Sequence, residues 1–343
     1  MPAGGPAGVR RGQLIGGGNM KAVVYERYGG PEVLEIKERE VPAVKKGMVL
    51  IKINATALNS ADIRLMKADP FLARTYSGIL KPKHDKQVLG SDVAGVIESA
   101  CPGAIRFKPG DAVFGSIFKT GMGGLAQYAA ADENDLALKP LNLSFEEAAA
   151  VPMAAKAALH AIRDYGKVKQ GERVLVYGAS GGVGTFCVQI AKHYGAEVTA
   201  VCSGRNEEQA KKIGADYVIN YEKEDFTRQN KKYDVIIGVN GYRALSDYKG
   251  ALNPGGRYVM AGGDNRQIFD ALLKARWVFM GSGKKASVVG SYSDRDDLDI
   301  LKKFSEEGSI KPVIDRVFDF QDTVEAVKYL ETGHAKGKVV IKI

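Results

Sequence analysis

The stretch Val174-Leu-Val-Tyr-Gly-Ala-Ser-Gly-Gly-Val-Gly184 constrains this chain more than any other. Four apolar residues, Val174 to Tyr177, predict a short buried strand. A glycine-rich turn runs from Gly178 to Gly184. Val183, Cys187, Ile190, Ala191 and Tyr194 then recur at helical spacing. Strand, tight turn and helix together lift a glycine cluster above coincidence. Lacking Cβ atoms, Gly181, Gly182 and Gly184 let the backbone turn sharply, approach a diphosphate and pack helix against strand. The helix start adds unpaired N–H groups and the positive end of its dipole. The stretch therefore reads as a dinucleotide cradle.

Five more β-like units follow it: Glu197 to Ser203, Tyr217 to Tyr221, Tyr233 to Ile237, Arg257 to Ala261 and Ser287 to Val289. Helical segments separate most of them, so a doubly wound parallel sheet is expected. Before the turn the pattern differs. Lys21 to Tyr25, Val33 to Ile36, Met48 to Ile53 and Val93 to Ile97 are strand-like, punctuated by Gly29-Gly-Pro31, Lys45-Lys-Gly47 and Lys108-Pro-Gly-Asp111. This block predicts a mainly β domain. Residues 60–87 interrupt it with a helix over Ala61 to Lys67 and an irregular stretch of the kind that often carries function. Ser144 to Ala150 and Ala154 to Tyr165 read as helices, with Ser144 and Glu147 spaced for a capping box. The expected fold is α/β, with a leader over 1–19, a β-rich domain over 20–145, a Rossmann domain over 146–290, and a segment over 291–343 returning to the first domain.

The chain has 343 residues, enough for two cores. Hydrophobic residues at 45% and charged residues at 26% are ordinary for a globular protein, and no apolar run approaches the roughly 20 residues of a bilayer span. No membrane partner is therefore expected. The net charge of +9 is spread widely, without the aromatic and basic motifs of an RNA binder, so no nucleic-acid partner is expected either. Cys101, Cys187 and Cys202 form no C-x-x-C pair, which speaks against a disulfide framework or a zinc lobe and for a reducing cytoplasm. Residues 1–19 lack the apolar centre of a signal peptide and read as a disordered leader.

The end of the second strand after the glycine turn decides between NADH and NADPH. Ser203 and Arg205 stand there, with no acid before Glu207. A hydroxyl and a guanidinium suit a 2′-phosphate, so NADPH is expected. Tyr221 ends the third strand, beside the same phosphate or in the core. Val239 and Asn240 follow the fourth strand. Ala261 ends the fifth, and Gly262-Gly263 after it would let backbone approach the nicotinamide.

These motifs carry a resemblance. Ala57-Leu-Asn-Ser-Ala-Asp62, Leu89-Gly-Ser-Asp-Val-Ala-Gly95, Arg106 to Phe114, Gly178 to Gly184, Ile213-Gly-Ala-Asp216 and Gly333-His-Ala-Lys-Gly-Lys338 resemble the zinc-independent quinone-reductase branch of the medium-chain dehydrogenase/reductase superfamily. The resemblance covers Met20 to Ile343. It implies a GroES-like catalytic domain interrupted by a Rossmann domain, substrate in the cleft between them, NADPH, and a homodimer. By position it places Ser180, Gly182 and Val183 at the diphosphate turn, Ser203 and Tyr221 at the adenosine-phosphate end, and His334, Ala335 and Lys336 in a cofactor-contacting tail. Zinc-dependent relatives hold their metal with Cys, His and a further Cys or acid. Here those regions read Asn59-Ser-Ala-Asp62, Gly90-Ser-Asp92 and Pro152-Met-Ala-Ala155, so no metal is expected.

Hydride transfer leaves negative charge on the acceptor. A quinone gives a phenolate-like oxygen with a pKa of about 10, whereas an alkoxide resembles water at about 15.7. The gap of roughly 6 units is about 8 kcal/mol of charge stabilisation that zinc would otherwise supply. Quinones and α,β-unsaturated carbonyls are therefore the expected substrates. Asn59 is the first choice for orienting the carbonyl or the nicotinamide ribose, with Asp62 organising it, and Tyr76 for donating to the developing oxyanion. His84 reads as an exposed histidine, and His160 and His193 as structural. Two alternatives stand beside this reading: an enoyl-thioester reductase, and a non-enzymatic NADPH-binding sensor.

Overall fold

The computed structural model describes residues 18–290 and 295–343. The expected leader lies outside the described residues up to position 17, and strand structure begins at Asn19.

The N-terminal part is a sheet assembly. β1 (Asn19–Tyr25) and β2 (Leu34–Glu40) form an antiparallel pair. β3 (Met48–Leu58), β4 (Asp92–Ala100), β5 (Ala112–Ser116), β6 (Tyr128–Asp132) and β7 (Leu136–Leu138) build an antiparallel sheet around the long β3. Helices α1 (Ser60–Lys67) and α2 (Arg74–Ser77) occupy the irregular excursion between β3 and β4. β5, β6 and β7 were not expected. Their Ala- and Gly-rich sequences have weak strand preference, and pairing with β3 and β4 imposes the conformation.

α3 (Phe145–Ala149) begins with the anticipated capping box: Glu147 N donates to Ser144 Oγ at 3.1 Å and Ser144 N to Glu147 Oε2 at 3.0 Å. α4 (Pro152–Leu159) was read as one α-helix continuing to Tyr165. It passes instead into a π-helical turn, His160–Tyr165. There, buried His160 and the Arg163 guanidinium both hold the carboxylate of Asp297, so His160 is structural.

The second sheet runs β10 (Tyr217–Asn220), β9 (Glu197–Cys202), β8 (Arg173–Tyr177), β11 (Tyr233–Gly238), β12 (Leu252–Met260), β13 (Lys285–Val288), all parallel. This is the doubly wound order, and its reversal point lies between β8 and β11. α5 (Gly182–His193), α6 (Glu207–Lys212), α7 (Leu245–Ala251), α8 (Asn265–Phe279) and α9 (Arg295–Glu306) belong to this half. Val174 to Val176 and Val235 to Ile237 are wholly buried, as strands covered on both faces must be.

β14 (Ile314–Asp319), α10 (Thr323–Glu331) and β15 (Lys338–Lys342) complete the chain. β15 pairs antiparallel with β3, Val339 opposite Leu58, and β14 extends the same sheet. The C-terminus thus returns to the first sheet.

The glycine turn shows why its residue types are required. Gly178 has φ +86°, and a Cβ there would lie 2.8 Å from the Asn240 backbone nitrogen. A Cβ on Gly184 would overlap the Gly178 carbonyl oxygen and sit 2.8 Å from Ala179 Cα. Helix and strand approach this closely only without a side chain. Gly184→Ala should therefore lower the unfolding free energy in urea by about 2–3 kcal/mol, the upper part of the range for overpacked sites. An unchanged midpoint would mean that the turn relaxes freely.

Candidate active site

The carboxyl ends of β8, β11 and β12 converge around the turn. Gly178 abuts Asn240, and a Cβ on Gly262 would lie 2.5 Å from the Val239 carbonyl oxygen. Ala261 N donates to Gly238 O at 2.8 Å, which places Ala261 and Gly262 beside Val239. Gly181 has open space where its side chain would be. It is also the N-cap of α5, and no side chain caps that helix. Ser180, Gly182 and Val183 are half-buried around it. The first N–H groups of α5 thus face an open cradle at the reversal point of the sheet, an arrangement that fits a dinucleotide diphosphate.

At the adenosine end, Ser203 is buried and its Oγ accepts from Asn206 Nδ2 at 3.0 Å. The exposed Arg205 donates to the His334 carbonyl at 3.3 Å, and Gln209 Nε2 to the Lys336 carbonyl at 2.8 Å. α6 is thereby stitched to the 334–336 tail, bringing Arg205, His334 and Lys336 together. Ala335 packs against the β1–β3–β15 core. Tyr221 stays 57% exposed, which excludes the core-packing alternative. Two carboxylates also stand here. Glu222 accepts from Gly204 N at 3.1 Å, and Glu207 from Asn220 Nδ2 at 3.0 Å. Glu222 was missed because it lies beyond the third strand and reaches back.

The catalytic candidates cluster across the cleft. The Asn59 carboxamide, just ahead of α1, donates through Nδ2 to Asp92 Oδ2 at 3.0 Å and Ser91 Oγ at 3.3 Å. Its Oδ1 accepts from Lys338 Nζ at 2.6 Å, and that ammonium lies 3.5 Å from Asp92 Oδ2. Asp92 is fully buried at the start of β4 and accepts from Met153 N at the N-terminus of α4, at 3.1 Å. Burial pushes its carboxyl up, and Lys338, Asn59 and the Met153 amide pull partly against that. Lys338, 4% exposed, was not among the residues anticipated from sequence. Its cues were its place at the end of the Gly333–Lys338 motif and at the start of an apolar final strand.

Asp62 touches Asn59 through backbone alone. Its two oxygens accept from Asn59 N at 2.8 Å and Gly90 N at 2.9 Å, locking α1 to the approach to β4. Tyr76 is placed differently from expectation. Its hydroxyl donates to the Phe118 carbonyl at 2.7 Å, its ring stacks on Phe118, and burial pushes its pKa to about 12. In this geometry the hydroxyl proton is committed to a backbone carbonyl and the ring packs on Phe118. His84 is not solitary: its Nε2 lies 2.7 Å from Arg39 Nη1. His193 packs on Phe304.

The regions where zinc-dependent relatives hold metal thus present an amide, hydroxyls and two carboxylates, Asp62 held by two backbone N–H groups and Asp92 facing a lysine ammonium. Among the described residues no group of three or more His, Cys, Asp or Glu is placed to hold a metal. This donor set does not fit zinc, which takes thiolate, imidazole and unshared carboxylate ligands. Among the described residues no helix is long and apolar enough to cross a membrane.

Comparison with known proteins identifies the family and the fold. Residues 45–141 match the alcohol dehydrogenase GroES-like domain, and residues 213–341 the zinc-binding dehydrogenase family. A 2-methylene-furan-3-one reductase of Solanum lycopersicum is 36% identical over 94% of this chain and 79% of its own length. The chain belongs to the medium-chain dehydrogenase/reductase superfamily, in its quinone oxidoreductase-like branch. An NADPH-dependent alkenal/one oxidoreductase of Arabidopsis thaliana is 34% identical over the same shares of the two chains. A quinone oxidoreductase structure from Coxiella burnetii superposes with a TM-score of 0.83 at 29% identity, covering 95% of this chain and all of that one.

Asp62 supplies a pH test. Burial raises its carboxyl from 3.8 to about 6, against the two backbone N–H groups that favour ionisation. The folded state therefore binds the extra proton between those values. The resulting stability is complete below the lower value and is lost as pH rises through about 6. Between about pH 4 and pH 7, wild type should lose on the order of 3 kcal/mol relative to Asp62→Asn in urea unfolding. A pH-independent difference would show that folding leaves the carboxyl's pKa unshifted.

Proposed function

We propose that this protein is an NADPH-dependent, zinc-free reductase that passes hydride to quinones or α,β-unsaturated carbonyls. The observation that carries the reading is the facing of two features across one cleft: the uncapped glycine cradle of α5 and the buried Asn59–Asp92–Lys338 cluster, whose donor set does not fit zinc. The names of the tomato and Arabidopsis relatives support the same substrate class.

The dinucleotide would lie over the cradle, with its diphosphate on the α5 N-terminus and its nicotinamide toward Val239, Asn240, Ala261 and Gly262. When bound, it supplies the hydride. The chain's own work is positioning and charge. Asp62 fixes where α1 begins and hence where Asn59 stands. Asp92 and Lys338 grip opposite ends of the Asn59 carboxamide and so fix which end is oxygen. The hydrogen bond from Arg64 Nη2 to the Gly263 carbonyl, at 2.8 Å, and that from Asn265 Nδ2 to Asp69, at 3.1 Å, hold the two halves of the cleft in register. No metal need stabilise the product oxygen where conjugation spreads its charge. Conjugated acceptors should therefore turn over, and saturated aldehydes of similar size should not.

Arg205 supports NADPH over NADH, and the Glu222 carboxylate works against it. Arg205→Ala should weaken NADPH about tenfold in a fluorescence titration, the worth of one charge-assisted bond, while NADH changes less than twofold. Glu222→Gln should tighten NADPH. Equal effects of Arg205→Ala on both cofactors would contradict the 2′-phosphate assignment. The three thiols, all free, are consistent with a cytoplasmic home.

The homodimer is part of the same proposal. β13 ends its sheet among the described strands, and α8 beside it exposes Phe269, Leu272, Leu273 and Trp277, the last at 70%. A second copy pairing on the open edge of β13 would cover both. Sedimentation should show a dimer that Leu273→Glu with Trp277→Glu converts to a folded monomer. A wild-type monomer at micromolar concentration would contradict the proposal.

A further inference from the structure

The excursion between β3 and β4 holds an exposed apolar cluster that the proposed chemistry does not use. Phe71, Leu72, Ile79 and Leu80 are each between 68% and 90% exposed. A single exposed leucine is ordinary, but four large apolar side chains this exposed in one short excursion mark a surface that is used. One side chain brings the two pairs together. Arg74 donates through Nη1 to the Ile79 carbonyl at 3.2 Å, and its guanidinium carbon lies 4.9 Å from the centre of the Phe71 ring. The same carbon lies 4.8 Å from the centre of the Tyr28 ring, and the Tyr28 hydroxyl donates to the Gly78 carbonyl. Lys83 N donates to the Ser77 carbonyl at 2.8 Å and closes the turn. The tip is thus held in shape while its apolar side chains project.

Positive charge surrounds them. Over residues 67–86, Lys67, Arg74, Lys81, Lys83 and Lys86 outnumber Asp69 and Asp85. Lys67 is taken by Glu331 at 3.1 Å. Lys81 and Lys83 follow Leu80 directly, both are exposed, and among the described residues neither is ion-paired. Shape and charge together select the occupant. Side chains this exposed stand out singly and do not form the flat, complementary face of a protein interface. A fluid bilayer takes such side chains between its headgroups, and unpaired lysines beside them meet anionic phosphates. The expectation of no membrane partner came from the lack of a spanning segment, and surface attachment does not need one.

The tip also has a place relative to the cleft. Asp69, two residues before Phe71, accepts from Asn265 just after Gly262-Gly263. We infer that this tip seats the protein on the surface of a bilayer containing anionic lipid, so that apolar conjugated acceptors enter the cleft from the membrane. The route of the acceptor rests on the reductase reading above, whereas the docking does not.

The test measures docking first and turnover second. Wild type, Leu72→Glu with Leu80→Glu, and Lys81→Gln with Lys83→Gln are co-sedimented with phosphatidylcholine vesicles, with and without phosphatidylserine. Circular dichroism reports that each variant is folded. Wild type should bind the phosphatidylserine vesicles at least about tenfold more tightly than phosphatidylcholine alone, and the lysine variant should lose about that factor. The leucine variant should bind neither vesicle measurably. Wild type that ignores vesicles, or binds both kinds equally, would overturn the proposal. So would a leucine variant that binds like wild type, or one that loses a wild-type dimer in sedimentation velocity, which would assign the tip to a second copy. Turnover is then compared on a long-chain quinone held in the vesicles and a short, water-soluble quinone. Both variants should slow about tenfold on the first and stay within twofold on the second. Equal turnover of vesicle-held quinone by wild type and a non-docking variant would overturn the membrane route. Wild type that binds vesicles but reduces neither quinone would refute the reductase reading and uphold the docking.

Discussion

One ladder decides where the chemistry of this protein sits: the antiparallel pairing of β15 with β3. It draws the last residues of the chain back across the Rossmann half and onto the first sheet. At its leading end it delivers Lys338 between the glycine turn and Asn59. Without that return, Asn59 and Asp92 would share a buried pocket with one amide and one carboxylate, and the carboxylate would lack a compensating charge. Burial already pushes Asp92 up, and removing the cation would push it further. The site therefore depends on a contact between chain segments 279 residues apart.

The second constraint is steric. α5 packs onto the end of β8 at a distance that Gly184 permits, and Gly178 lets the backbone at Asn240 close in beside it. This places the helix N-terminus at the reversal point of the sheet, where neighbouring strands diverge and leave a crevice. Phosphate binding at such a place requires no side chain. On the proposed reading the side chains are left to set selectivity and orientation, and Arg205, Glu222, Asn59 and Lys338 all come from loops or element ends around the crevice.

Local signals in the sequence were strong. The glycine turn, the six parallel strands and the Ser144–Glu147 capping box each depend on residues within a few positions of one another, and the structure has all of them. Signals that are non-local were weak or absent. The strands β5 to β7 are too short and too rich in alanine and glycine to declare themselves, and only their partners make them strands. The Tyr76 hydroxyl looked available in sequence, yet it is taken by a carbonyl 42 residues away. Glu222 carries no local mark of function and Lys338 only its place in a motif, and the fold brings each to a glycine that it could not have indicated. Asn59, by contrast, was legible as a candidate, but its four polar contacts were not.

The central claim is direct hydride transfer to a conjugated acceptor without metal assistance. The measurement that tests it most directly follows deuterium from the nicotinamide C4 of labelled NADPH into an enone, using chelator-treated protein and reading the product by NMR. The account predicts deuterium at the β-carbon of the saturated product, undiminished by removal of metal. Absence of label in the product, or its appearance only after zinc is restored, would contradict it.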